Sequence, residues 1–158
     1  MSLCVSVVLC ASVVNVFRVR LTTETRRIHR EPQRKGPPLP YSETFKDHLA
    51  NPRNAGELAG ANGTAEQTNP VCGDRLRLSL RIRDGRIEAA RFLAYGCPPT
   101  LACGSVLVEM IEGMQVADAM KVTRKEIGDA LGGLPTRKHH AAALAIETLR
   151  SAIEECSR

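Results

Sequence analysis

Tryptophan is absent from the 158-residue chain, and three Phe and two Tyr are its only aromatic residues. That scarcity excludes the ring-lined platforms on which RNA and single-stranded nucleic acid stack. No apolar run reaches the roughly 20 residues of a membrane-spanning helix. The apolar stretch at residues 2–17 is followed, not preceded, by basic residues, unlike a secretory signal. An excess of one charge is also lacking outside the first forty residues. Seven of the 22 Lys and Arg but only two of the 17 Asp and Glu fall in residues 1–40, leaving fifteen of each sign for residues 41–158. The net charge of +5 thus belongs to the tail, and the rest carries no overall basic footprint. A hydrophobic share of 43% and a charged share of 25% are ordinary globular values that exclude a wholly disordered or fibrous chain.

What is present fits one domain behind a tail. Residues 1–40 read as an unpacked leader and linker; a transit-like segment or a start assigned too far upstream would give the same pattern. Four prolines within residues 31–40 prevent helix and ladder pairing, so the domain is expected to span 41–158. Of six cysteines, Cys4 and Cys10 lie in the leader and Cys156 three residues from the end, leaving Cys72, Cys97 and Cys103 inside the domain. An odd trio is not a disulfide framework. A reducing compartment is expected, the cytoplasm or, if the leader is a transit peptide, an organelle matrix, with thiols serving as core filler, metal ligands or nucleophiles.

Residues 42–50 read as a short helix capped by Ser42 and ended by Asn51-Pro52. A long loop follows, with one additional strand expected within residues 60–72. Residues 75–83 alternate strictly, placing Leu76, Leu78, Leu80 and Ile82 on one face of a strand. Asp84-Gly85 turns the chain into a returning strand over residues 87–95, and the Ala89-Ala90 pair, which breaks alternation, suggests a bulge. Pro98-Pro99 opens a helix that Gly113 stops, residues 116–120 form a short helical piece, and Thr123 to Glu126 is a capping box. A last helix is expected over residues 137–155. This order predicts an α+β fold: an antiparallel sheet of about three strands with helices packed on one face.

Chemistry concentrates at three places. Cys72-Gly73-Asp74 sets a thiol and a carboxyl either side of a glycine that permits unusual backbone angles. Cys97 follows Gly96 at a helix start, where unpaired amides and the helix dipole favour thiolate. The intervening hairpin brings its two ends, and so the two cysteines, together. His140 lies in the first turn of the last helix, while His139 points about 100° away and is expected in solvent.

These segments also carry a resemblance. Phe45 to Gly56 (Phe-Lys-Asp-His-Leu-Ala-Asn-Pro-Arg-Asn-Ala-Gly), Val-Cys72-Gly-Asp74, Tyr95-Gly-Cys97 and Leu134-Pro-Thr-Arg-Lys138-His-His140 resemble, in order and spacing, the U-type iron-sulfur cluster scaffold family of IscU, SufU and the NifU amino-terminal domain. The resemblance covers nearly all of residues 41–156. It implies an IscU/NifU-N-like fold in which Cys72, Asp74, Cys97 and His140 hold a metal or a nascent [2Fe-2S] cluster. The family's third cysteine, to which acceptance of persulfide sulfur is assigned, is here Ala141. Cys103, six helical residues and about 240° from Cys97, reads as buried filler. Cys156, about 24 Å along the helix from His140, cannot join the site.

The resemblance implies a non-enzymatic scaffold or carrier for iron and a transient [2Fe-2S] cluster. A cysteine desulfurase and acceptor apo-proteins would be its partners, with no nucleic acid or membrane. A zinc-bound, SufU-like sulfur acceptor working with a desulfurase is the alternative, and a purely structural adaptor a third. Thr136-Arg137 stands where relatives served by an Hsp70-type chaperone have Pro-Val, and the charge it introduces argues against that service.

Overall fold

The computed structural model describes residues 41–157. Ser42 caps α1 (Glu43–Ala50) by accepting the Phe45 amide at 3.0 Å, and its hydroxyl donates to the Leu131 carbonyl. Three strands, β1 (Gly63–Thr68), β2 (Arg75–Arg83) and β3 (Arg86–Tyr95), form an antiparallel sheet in that order, β1 being the additional strand expected. The inward side chains of β2, Leu76, Leu78 and Leu80, are fully buried. On β3 the buried set runs Ile87, Ala90, Phe92, because Arg81 pairs with Ala89 while Ile82 pairs with Ile87, leaving Glu88 as the extra residue. The bulge therefore precedes the alanine pair by one position, and it turns Ala90 and Phe92 onto the face Ile87 already uses.

Helix α2 (Pro98–Ile111) crosses that face and is buried almost all round, with Thr100, Cys103, Ser105 and Leu107 inaccessible. Its approach depends on Gly104, where a Cβ would sit 2.6 Å from the Phe92 ring. Helix α1 is clasped to α2 by Ser105, whose Oγ lies 2.9 Å from His48 Nδ1 and accepts the Arg53 amide at 2.8 Å. Burial is the largest influence on His48 and holds its pKa below the usual imidazole value. Thus part of the Phe45–Gly56 motif serves packing. Asn54 and Gly56 continue it by exchanging backbone hydrogen bonds with Phe92, which covers the outer edge of β3.

The chain then forms α3 (Val116–Ala119), α4 (Arg124–Ala130) behind its Thr123–Glu126 capping box, and α5 (His139–Cys156). The last helix starts two residues later than its apolar stripe suggests. Pro135 opens a separate 3-10 turn, Thr136–Lys138, closed by the Lys138 amide on the Pro135 carbonyl at 2.7 Å. Helix α5 lies against β1 so closely that a Cβ on Gly63 would meet the Ala152 carbonyl at 2.4 Å. No helix among the described residues is long and apolar enough to cross a membrane.

Candidate metal centre

The site grows out of strand register. Arg75 pairs with Tyr95, so the residues just outside the β2–β3 ladder, Asp74 and Gly96, become neighbours. Between β1 and β2 the chain turns over residues 69–74. The Gly73 amide donates to the Asn69 carbonyl at 2.8 Å, the Asn69 amide to the Asp74 carbonyl at 2.8 Å, and Asn69 Oδ1 accepts the Val71 amide. Gly73, at φ +72, supplies the left-handed residue this turn needs. Cys72 is consequently exposed, and Asp74, only 5% exposed, points inward.

Asp74 organises the centre. Its Oδ1 accepts the Cys97 amide at 3.0 Å; its Oδ2 accepts Cys97 Sγ at 2.9 Å and Thr100 Oγ1 at 2.8 Å. The carboxylate, rather than the Cys97 side chain, therefore caps the amino terminus of α2. Burial pushes the Asp74 carboxyl up, but hydrogen bonds from Cys97, Thr100 and Cys72 outweigh it and hold the pKa at about 2. At Cys72 the Asp74 amide favours thiolate, yet desolvation and the adjacent carboxylate prevail and raise the pKa above the ordinary thiol value. A cation arriving here meets an ionised carboxylate and displaces a thiol proton.

His140 completes the arrangement from the first turn of α5. Its Nε2 is buried and has no hydrogen-bond partner, the one such side-chain atom among the described residues. Buried imidazole nitrogens are ordinarily satisfied, so this one has a bond left to offer a ligand. One ligand atom each from Cys72, Asp74 and His140 lies within 4.8 Å of the others. Thiolate, carboxylate and imidazole together suit zinc or iron, so the residues present fit such a guest. Cys97 adjoins this trio through Asp74.

Cys103 is fully buried, and burial pushes its thiol up to about 12, consistent with core filler. Ala141 is also fully buried. His139 is exposed, its Nε2 lying 3.1 Å from the Leu134 carbonyl. Sequence reasoning missed Thr100 altogether and, at Gly96, the contact that makes glycine necessary. Thr100, three residues beyond Cys97 and hence on the same side of the helix, bonds Asp74 from a fully buried position. Gly96, at φ +152, is needed because a Cβ there would lie 2.2 Å from Asp74 Oδ1.

Comparison with known proteins agrees with this architecture. The family model described as NifU-like N terminal domain matches residues 40–158. Over 118 residues the chain is 41% identical to iron-sulfur cluster assembly scaffold protein IscU 1 of Archaeoglobus fulgidus, covering 75% of this chain and 77% of that protein. It is 40% identical over 117 residues to the scaffold protein IscU of Aquifex aeolicus, covering 73% and 74%. Among solved structures, an iron-sulfur cluster assembly scaffold protein for the SUF system from Fervidobacterium islandicum AW-1 superposes with a TM-score of 0.62 at 22% identity, covering 72% of this chain and 96% of that one, a likeness of fold. With matching motifs, matching fold and identity of this extent, the chain belongs to the NifU-like N-terminal domain family.

Proposed function

We propose that this protein is an iron-sulfur cluster assembly scaffold whose cargo, iron and then a transient [2Fe-2S] cluster, is held by Cys72, Asp74, Cys97 and His140. The observation that carries the reading is that His140, whose buried Nε2 has no partner, brings a ring nitrogen within 4.8 Å of ligand atoms of Cys72 and Asp74. Membership of a family whose relatives are named scaffold proteins supports it. Cys72 and His140 offer open lone pairs. Cys97 is held in reserve on Asp74 and becomes available when that hydrogen bond yields. Two thiolates with an imidazole and a carboxylate hold iron-sulfur chemistry less firmly than four thiolates, as a donor that must release its cargo requires.

A cysteine desulfurase would supply sulfur, acceptor apo-proteins would take the finished cluster, and no residue is assigned a catalytic role. The mixed sulfur, oxygen and nitrogen donor set equally favours tetrahedral zinc, so a zinc-bound sulfur acceptor is the second reading; the alanine at 141 weighs against it.

Anaerobic reconstitution with ferrous iron and sulfide tests the assignment. Visible charge-transfer absorption should develop in the wild type and be lost in Cys72→Ser, Cys97→Ser and His140→Leu variants. Undiminished absorption in the three variants would overturn the ligand set.

A further inference from the structure

Among the described residues the side-chain hydroxyls of Thr100, Ser105 and Thr148 belong to fully inaccessible residues. Thr148 donates to the Leu144 carbonyl of its own helix at 2.7 Å, the ordinary way for a helical threonine to satisfy itself, and Ser105 serves the clasp between α1 and α2. Thr100 does neither. As the third residue of α2 it has no helical carbonyl four places behind it, so its hydroxyl reaches sideways. Thr100 Oγ1 donates to Asp74 Oδ2 at 2.8 Å and lies 3.5 Å from Cys97 Sγ. Burying a hydroxyl is costly unless it finds such partners, and both of these belong to the metal centre.

We infer that Thr100 is a positioning residue of the centre, whose hydroxyl holds the Asp74 carboxylate beside Cys97 and passes to the Cys97 sulfur when that sulfur becomes a metal ligand. This role rests on the proposed reading of Cys97 as a donor to the cargo. When a cation takes Cys97, the S–H bond breaks, a sulfur–metal bond forms with both electrons from sulfur, and the proton leaves to solvent. Asp74 Oδ2 then loses the hydrogen bond it receives from Sγ at 2.9 Å and faces a negative sulfur instead. The carboxylate is not free to turn away. Its Oδ1 accepts the Cys97 amide at 3.0 Å, and Gly96 packs so closely that a Cβ there would lie 2.2 Å from the same oxygen. At 5% exposure Asp74 has little water to draw on, so the compensating donor must come from the protein. Rotation about the Thr100 Cβ–Oγ1 bond carries one hydrogen from Oδ2 toward Sγ and moves no heavy atom. The same turn frees an Oδ2 lone pair for the cation. One buried hydroxyl thus prepares two ligands together.

Cobalt(II) titrated into the full chain is the probe, because its sulfur-to-metal charge-transfer band appears without any cluster being built. A hydrogen bond to a ligating sulfur stabilises the sulfur lone pair and so moves that band to higher energy. Thr100→Val keeps the size of the side chain and deletes the hydroxyl. At saturating cobalt its band should lie at longer wavelength than that of the wild type, and its affinity for cobalt should fall roughly 10–100-fold, as when the partner that orients a ligand is removed. Thr100→Ser restores the hydroxyl and should return both to wild-type values, whereas a threonine that served packing alone would leave the band in place. Far-UV circular dichroism checks that each variant folds, and Thr100→Ala carries the same expectations should the valine variant not fold. An unmoved band in Thr100→Val, or a band in Thr100→Ser displaced just as far, would overturn the role of Thr100 and leave the ligand set standing. A wild-type band that survives unchanged in Cys97→Ser would instead remove Cys97 from the ligand set, and the role of Thr100 with it.

Discussion

Two glycines flank the candidate ligands and do different work. A Cβ on Gly73 meets nothing within 4 Å, so Gly73→Ala suffers only from the left-handed backbone, about 1–2 kcal/mol. At Gly96 the positive φ is joined by direct collision with the Asp74 carboxylate. Gly96→Ala should therefore cost more in urea unfolding, about 2–4 kcal/mol, and should also displace the carboxylate that holds Cys97. Equal losses in the two variants would contradict this account. Both glycines are visible in the sequence, but which of them touches the carboxyl depends on the Arg75–Tyr95 register and is not. The thiols separate as clearly. Cys103, inaccessible and pushed up to about 12, should resist iodoacetamide in the folded protein, whereas exposed Cys72 should be alkylated, as peptide mass spectrometry would show.

Among elements, the clasp between α1 and α2 carries a pH dependence. Burial holds the His48 pKa down, with Arg53 adding to the effect and Glu109 and Asp47 opposing it. The unfolded chain binds its proton more readily than the folded one, so this contribution is present above the ordinary value of 6.5 and is lost as pH falls below it. Urea midpoints should drop between pH 7.5 and pH 5.5, and His48→Gln should flatten the drop. A slope unchanged by the substitution would remove His48 from the explanation. Gly104 sets a second contact between elements: Gly104→Ala should destabilise by about 1–3 kcal/mol through the Phe92 ring, and Phe92→Leu in the same chain should recover part of the loss. Most elements were legible because their signals are local. The alternation at Leu76, Leu78 and Leu80, the Ser42 and Thr123 caps and the Pro98-Pro99 helix start each act within a few residues. β1 was seen only dimly, since Gly-Thr-Ala-Glu-Gln-Thr has neither alternation nor bulk. It becomes a strand because β2 offers a ladder on one edge and α5 packs closely at Gly63.

At the scale of the whole molecule, three separated segments meet at the centre: the β1–β2 turn, the β3–α2 junction and the start of α5. The four candidate side chains came from the resemblance: a Cys-Gly-Asp turn and a helix-entry His are each weak signals alone, and only their order and spacing together with the Gly-Cys helix start singled them out. Their pairing was not legible. That Cys97 reaches the trio through Asp74, while His140 stands with an unsatisfied nitrogen, depends on tertiary packing. This asymmetry sets stability and binding against each other. In the metal-free protein the buried His140 Nε2 has lost its water without gaining a partner, a cost of about 1–3 kcal/mol. His140→Leu removes that cost while filling similar space, so the metal-free variant should unfold at the same or a slightly higher urea concentration than wild type. Zinc at about a hundred times its dissociation constant should stabilise the wild type by about 2.7 kcal/mol, because it binds the folded state and ties the three segments together. The variant should gain far less, and the order of stability of the two proteins should reverse as zinc is added. Parallel responses to zinc would mean that His140 is no ligand, and a variant already much weaker without metal would mean that its ring serves packing alone.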